Sequence, residues 1–247
     1  MPPIAVLSDI HGNLPALAAV AADIKKRGIK KVLNLGDHLS GPLWPMETLR
    51  FLQGTDWIHI RGNHDRQLVE GKPGSMGLSD SYAYKYLSRE DLDWLESLPS
   101  SLVVLDEITL FHGRPEQDDL YLLDSIQGDR IRPATQVEIL SRLGSVQTPL
   151  VLCGHSHISR VVNLPGGVLA LNPGSVGLQA YIDESPQFHR VEVGSPQARY
   201  ALVDRTSQGW SMEGILVDYD FKEAAKQARK NIRPEWALAL ETGTTRK

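Results

Sequence analysis

The sequence is poor in the features that mark secreted, membrane-bound or polyanion-binding chains. A single cysteine, Cys153, stands among 247 residues. This excludes an internal disulfide framework and fits a reducing compartment. No stretch approaches the ~18 uninterrupted apolar residues of a membrane helix. The N-terminus "MPPIAVLSDI" lacks the basic region of a signal peptide, and its apolar run is too short for one. The expected location is therefore the cytoplasm. There is no basic surplus either: 26 Lys and Arg against 30 Asp and Glu give a formal charge of −4. That balance argues against general affinity for nucleic acid or anionic lipid. Internal repeats and low-complexity segments are absent.

What remains is ordinary globular material, 41% hydrophobic and 23% charged, enough for a packed core. The first half repeats one theme. An apolar run ends in a polar cluster, and a helix-like segment follows. "IAVL" (4–7) runs into "SDIHGN", then an amphipathic stretch stops at Gly28. "KVLNL" (31–35) runs into "GDHLSG", then "WPMETLRFLQ". "WIHI" (57–60) runs into "GNHDR". Such alternation predicts parallel strands covered by helices, with the polar clusters gathered at the carboxyl ends of the strands.

Further along, residues 81–99 read as two helices, with Ser88 and Asp91 resembling a helix-start pair. "SLVVLDEITLFHG" (101–113) reads as two strands around a turn. An irregular acidic stretch and a helix near 133–143 precede "PLVLCGHSH" (149–157), a strand with a polar end. A hairpin follows over 159–175, then antiparallel strands and two helices near 221–231 and 234–241. The expectation is one α/β domain over 1–247, a mixed sheet with outer helices, a helical insert near 71–98 and C-terminal helices near 221–241.

Five strand-end clusters carry the chemistry: Asp9 with His11, Asp37, Asn63 with His64, His112, and His155 with His157. The i, i+2 pairs share a face of a strand, or converge from a turn. Carboxylate, amide and imidazole donors without thiolate suit Mn²⁺, Fe, Zn²⁺ or Ni²⁺ better than a structural zinc site. The seven candidate ligands, Asp9, His11, Asp37, Asn63, His112, His155 and His157, are too many for one tetrahedral ion. They are enough for two ions sharing a carboxylate, and Asp37 is the best candidate for the bridge. Each cluster alone has a plainer reading as a solvated loop, an Asx turn or a strand-end histidine. Their order, each beside a glycine, outweighs it.

In that order the sequence resembles the calcineurin-like metallophosphoesterases, whose pattern D-x-H, GD, GNH[DE], a lone His and GHxH is met by "DIH" (9–11), "GD" (36–37), "GNHD" (62–65), "HG" (112–113) and "GHSH" (154–157). "DIHGN" and "NPGSVG" (172–177) resemble the small bacterial and archaeal phosphodiesterase branch, which includes relatives of diadenosine tetraphosphate hydrolases. The resemblance implies a four-layer αββα sandwich of two mixed sheets flanked by helices. It also implies two divalent ions, manganese first, with Fe, Ni²⁺, Zn²⁺ or Mg²⁺ as alternatives. One ion would take Asp9, His11, Asp37 and His157; the other would take Asp37, Asn63, His112 and His155. His64 would stay free of metal and act as the catalytic residue while a metal-bridging hydroxide attacks phosphorus. Small phosphodiesters or dinucleoside polyphosphates are the expected substrates. Alternatives are a phosphomonoesterase or protein phosphatase, a nuclease, and a non-catalytic scaffold, as in the retromer subunit that resembles this family. One departure stands out. The protein-phosphatase branch orients its histidine with an aspartate three residues beyond the "GD" aspartate, and here that position is Ser40. Asp65 is the nearest substitute.

Around these clusters, Arg66 and Arg114 match a phosphate's geometry. Asn13 either touches substrate or caps the helix after it, and Asn172 could line the rim. His38, His59 and His189 read as structural or solvent-facing. Tyr82, Tyr84, Tyr86 and Trp94 form either a base-stacking wall or the packing of a helical subdomain. The acidic "EQDD" (116–119) reads as a solvated loop.

Overall fold

The computed structural model describes residues 2–72 and 74–246. In chain order its elements are β1 (Ile4–Leu7), α1 (Leu14–Lys26), β2 (Lys31–Asn34), α2 (Pro45–Gln53), β3 (Ile58–His59), α3 (Asn63–Glu70), α4 (Leu78–Tyr84), α5 (Arg89–Ser97), β4 (Ser101–Val104) and β5 (Ile108–Phe111). There follow β6 (Asp124–Gln127), β7 (Arg130–Pro133), α6 (Gln136–Leu143), β8 (Leu150–Leu152), β9 (Arg160–Leu164) and β10 (Val168–Asn172). The chain closes with β11 (Ala180–Asp183), β12 (His189–Glu192), β13 (Ala198–Thr206), β14 (Gly209–Val217), α7 (Phe221–Lys230) and α8 (Pro234–Thr242).

The period-2 pattern of the strands sets the layers. One sheet has the order β14-β13-β1-β2-β3 and the other β4-β5-β8-β10-β9. Ile4 and Val6 from the first meet Ile108, Leu110, Leu150, Leu152, Leu169 and Leu171 from the second in a shared core. Their strand neighbours Ala5 and Leu7 face outward onto Ala16, Leu17, Val20 and Ile24 of α1. On the far side, Val151, Cys153 and Ala170 pack against Ile139 and Leu143 of α6. The result is the expected helix–sheet–sheet–helix stack. β1, β2 and β3 run parallel, as do β5, β8 and β10. The loops after β1, β2 and β3 therefore leave one edge of their sheet and those after β5 and β8 one edge of theirs, and side chains from both sets meet.

A third sheet, β11-β12-β7-β6, was not legible in the sequence. Its β6–β7 hairpin occupies the stretch read as irregular. "DSIQGDRIRP" shows no clear alternation because only Asp124 and Ser125 of its strand residues are buried. The helix expected from 133 begins after Thr135, which accepts the Glu138 N–H while Glu138 reaches back to the Thr135 N–H. The segment near 71–98 carries α4 and α5, with Ser88 and Asp91 forming the reciprocal cap. Its interior is Leu39, Leu49, Leu68, Ala83, Leu92 and Leu95.

Candidate metal centre and catalytic cleft

The strand ends turn sharply into their loops, and backbone conformation does the aiming. Asp9, His11, Asp37, His155 and His157 all sit in the left-handed region, with φ of 57°, 52°, 58°, 67° and 58°. That region costs an L-residue on the order of 1–3 kcal/mol, so it persists only where the surroundings enforce it. Here the loops enforce it on one another. Asp9 N–H donates to Gly36 O at 3.0 Å, His11 N–H to Asp37 O at 3.0 Å, and Gly154 N–H to His112 O at 2.7 Å. Gly62 and Gly36 let two loops touch. A Cβ on Gly62 would lie 2.6 Å from Asp37 N, and one on Gly36, whose φ is +102°, would lie 2.7 Å from the Gly62 Cα.

The side chains converge in two groups: Asp9, His11 and His157, and Asp37, His112 and His155. Within each, one donor atom per residue lies within 4.8 Å of the others. Both carboxylates lie between the groups. Asp37 Oδ2 is 3.8 Å from His11 Nε2 and 3.1 Å from His112 Nε2. Asp9 Oδ1 is 3.4 Å from His157 Nε2 and 3.7 Å from His112 Nε2. The sequence named Asp37 alone as the bridge, and the geometry gives Asp9 a similar position. Asn63 is buried at the cleft wall, close by in the first turn of α3. "GNHD", read as a polar cluster at a strand end, also starts this helix. Gly62 is its N-cap, and the Asp65 carboxylate accepts the Gly62 N–H at 2.9 Å.

The donor set fits divalent cations on three counts. Asp9 Oδ1, Asn63 Oδ1 and His112 Nε2 are buried without a hydrogen-bond partner. His11, His112 and His157 each donate Nδ1–H to a backbone carbonyl, of Ser40, Leu35 and Leu178, at 2.8, 2.7 and 2.7 Å. A carbonyl can only accept, so Nδ1 carries a proton and Nε2 is the atom turned to the site, the second-sphere arrangement of histidine ligands. The His11 and His157 Nε2 atoms stand 3.1 Å apart, and a shared cation relieves the repulsion of two lone pairs at that distance.

Electrostatics agree for four of the groups and oppose at His112. Burial there is outweighed by Asp37 and Asp9, which raise it to about 10, so a cation at His112 has to displace the Nε2 proton. Burial, reinforced by His157, lowers His11 to about 4; burial and His112 lower His155 to about 3. Burial opposes ionisation of Asp9, yet the neighbouring His157 and His112 bring it down to about 2. Asp37 is held well below the usual carboxylate range against the same opposition, chiefly by His112 and His64. The carboxylates are ionised and two imidazoles are neutral, the forms that bind metal.

His64 lines a cleft of about 710 Å³ together with His11, Asp37, Asn63, His155 and His157. Its Nδ1 is 2.8 Å from Asp80 Oδ1 of α4. Burial works to lower its pKa, but Asp37 and Asp80 raise it to about 9. Asp65, the substitute orienting group, does other work. It accepts from the Asp37 and His38 amides at 2.8 and 2.9 Å and pairs with His38 Nδ1 at 2.7 Å. Spacing could not reveal that, because the Asp65 carboxylate turns back under its own helix.

The substrate candidates fare unevenly. Arg66 lines the cleft but is held by Asp118 through bonds of 2.7 and 2.6 Å, so "EQDD" is partly an anchor. Arg114 does not reach the cleft. Its Nε–H donates to Tyr121 O, and it lines a neighbouring pocket with Arg132 and Arg142. Asn13 is fully buried. It caps α1 by accepting from Ala16 N–H, and its amide donates to Gly177 O at 2.8 Å and Tyr219 Oη. It is a structural residue, corrected from a substrate contact. Asn172 braces the "GHSH" loop through Gly154 O and Ser156. Trp94 and Tyr84 pack the helical segment, and none of the four aromatics named there lines the cleft. His38 and His189 are buried and hydrogen-bonded, and His59 meets the Asn34 amide. Missed altogether were Asp80, Tyr181, Arg233 and Trp236, all on the cleft wall. Only the missing carboxylate at position 40 hinted at any of them.

The model of the calcineurin-like phosphoesterase superfamily domain matches residues 3–195. The chain belongs to this superfamily. An uncharacterized protein of Methanocaldococcus jannaschii is 30% identical over 253 aligned positions, spanning 94% of each chain. Among solved structures, a metallophosphoesterase from Sphaerobacter thermophilus superposes with a TM-score of 0.75 at 24% identity, over 98% of this chain and 99% of the other. A hypothetical protein from Pyrococcus horikoshii gives 0.74 at 21% identity over the same shares. These two likenesses establish the fold of this metallophosphoesterase. No helix among the described residues is long and apolar enough to cross a membrane.

Proposed function

We propose that this metallophosphoesterase hydrolyses small phosphodiesters or dinucleoside polyphosphates with two divalent cations, manganese foremost. The observation that carries the reading is the pair of three-residue donor groups, of which His11, Asp37, His155 and His157 line one cleft with His64. Asp9, His11 and His157 would hold one ion, and Asp37, Asn63, His112 and His155 the other, with Asp37 shared. Two ions so placed supply an activated water and neutralise charge on the phosphoryl group.

The chain's own residues supply the rest. The carbonyls of Ser40, Leu35 and Leu178 fix the tautomers of three ligands. Asp80 takes His64 Nδ1, which leaves Nε2 to serve the substrate, holding a phosphoryl oxygen or passing a proton to the leaving oxygen. The cleft runs on past His64 to Tyr181, Arg233 and Trp236. That extension supports a substrate carrying a second group beyond the phosphoryl centre, and hence the diester over the monoester.

A panel of p-nitrophenyl phosphate, its bis-ester and a dinucleoside tetraphosphate, each with Mn²⁺, Mg²⁺ or Ni²⁺, tests this. Asp37→Asn and His64→Ala are each expected to lower turnover at least about 10²-fold, the scale of a general acid–base group. Turnover by both variants close to that of the unaltered protein would defeat the mechanism.

A further inference from the structure

The carboxylate missing at position 40 is supplied from elsewhere in the chain. Asp80 lies in the first turn of α4, only 4% exposed, and its Oδ1 accepts from Ser40 Oγ at 2.5 Å while standing 2.8 Å from His64 Nδ1. Ser40 Oγ is itself 3.4 Å from His64 Nδ1. Three side chains from three segments therefore meet at one ring nitrogen. Among the described residues Asp80 has no Lys or Arg within ion-pair distance. A buried carboxylate of that kind is costly unless donors satisfy it, and its side-chain donors here are the Ser40 hydroxyl and the His64 ring.

The position of Asp80 is fixed by packing. Ala83, one turn further along α4, is buried with Leu39, Leu49, Leu68, Leu92 and Leu95. Ser79 accepts a bond from Arg233 at 3.2 Å, which ties α4 to the C-terminal helices. Asp65, next to His64 in the sequence, is committed to His38 and three backbone amides.

We propose that Asp80 is the positioning residue for His64: the helical insert supplies the carboxylate that fixes the ring's orientation by accepting its Nδ1–H, which turns Nε2 to the substrate, with Ser40 locking that carboxylate in place. The proposal rests on the catalytic role given to His64 above. It also makes the insert part of the catalytic apparatus, because a shift of α4 away from the rim would release the ring.

The test combines kinetics with a readout that needs no activity. In the full-length protein with saturating Mn²⁺, Asp80→Asn should lower kcat for phenyl-ester diesters about 10²-fold, the scale of losing a catalytic group's alignment. KM and bound manganese should change less than about twofold, and the loss should be smaller for p-nitrophenyl esters, whose leaving group needs little protonation. In a His64→Ala background Asp80→Asn should have no further effect, the mark of two residues acting as a unit. Adding Ser40→Asp to Asp80→Ser should restore at least a tenth of the activity, since position 40 already reaches the ring.

Independently, long-range ¹⁵N–¹H spectra should show a hydrogen-bonded Nδ1–H on His64, and that signature should be lost in Asp80→Asn. Equal losses from Asp80→Asn with and without His64, or an unchanged ring signature, would overturn the proposal. An unaltered protein inactive on every phosphoester but showing the Nδ1 signature would instead strike at the catalytic reading, leaving the Asp80–His64 geometry intact.

Discussion

Gly62→Ala tests whether the metal centre depends on two loops touching. The new Cβ would stand 2.9 Å from Asp37 Cγ and 2.6 Å from Asp37 N. Carbon–carbon contacts settle near 3.5–4.0 Å, so the carboxylate or its loop must retreat by about 0.6–1 Å. The carboxylate cannot move freely, because its Oδ1 also accepts the His64 N–H at 2.9 Å. Overpacking of this kind costs roughly 1–3 kcal/mol of stability. A misplacement near 1 Å at the reacting centre costs on the order of 10²-fold in rate. Gly54→Ala is the control, since its Cβ would meet only Phe51 O and Arg50 O, at 3.4 and 3.5 Å. Bis-p-nitrophenyl phosphate turnover, bound manganese by elemental analysis and urea midpoints should be measured on both variants. Gly62→Ala should be folded, less stable, short of metal and about 10²-fold slower, while Gly54→Ala stays within about 0.5 kcal/mol of the unaltered protein. A Gly62→Ala protein with full metal content and full turnover would show that the close approach of the loops is not what places Asp37.

Two further outcomes check the structural assignments. Asn13→Ala should lower stability by about 1 kcal/mol through loss of the α1 cap while leaving KM unchanged; a raised KM would return Asn13 to the substrate. Asp91 is held below its ordinary value of 3.8: burial pushes it up, but the Ser88 N–H and O–H and Arg50 outweigh that. Its contribution is therefore present above pH 3.8 and fades as pH falls through the lowered value in the folded protein. Asp91→Ala should cost about 1.5–3 kcal/mol at neutral pH, and the gap should narrow in strong acid; a gap independent of pH would exclude the charge as its source.

Much of this molecule is written in local pattern. Short apolar runs such as Ile4–Leu7 announce strands, Ser88 with Asp91 announces a helix start, and the ordered clusters from Asp9 to His157 announce a rim of metal-binding donors. Each of these depends on residues a few positions apart, where chain geometry alone decides which groups meet. The third sheet escaped notice because most of its short strands β6 and β7 is not buried and so carries no alternation. The left-handed turns at Asp9, His11, Asp37, His155 and His157 were equally hidden, since any polar residue before a loop reads the same until neighbouring loops enforce its φ.

The partners of the histidines lay beyond sequence reasoning for the same cause. Carbonyls of Leu35, Ser40 and Leu178 exist in every chain, and only packing brings them to His112, His11 and His157. Asp80 carried no local signal, and only the folding of α4 against the rim put it on His64. The sequence by itself determined which donor groups this protein owns and the strands that carry them. The tertiary structure decided which atoms those groups face, because a hydrogen bond between distant segments is set by the packing of the elements that bear them.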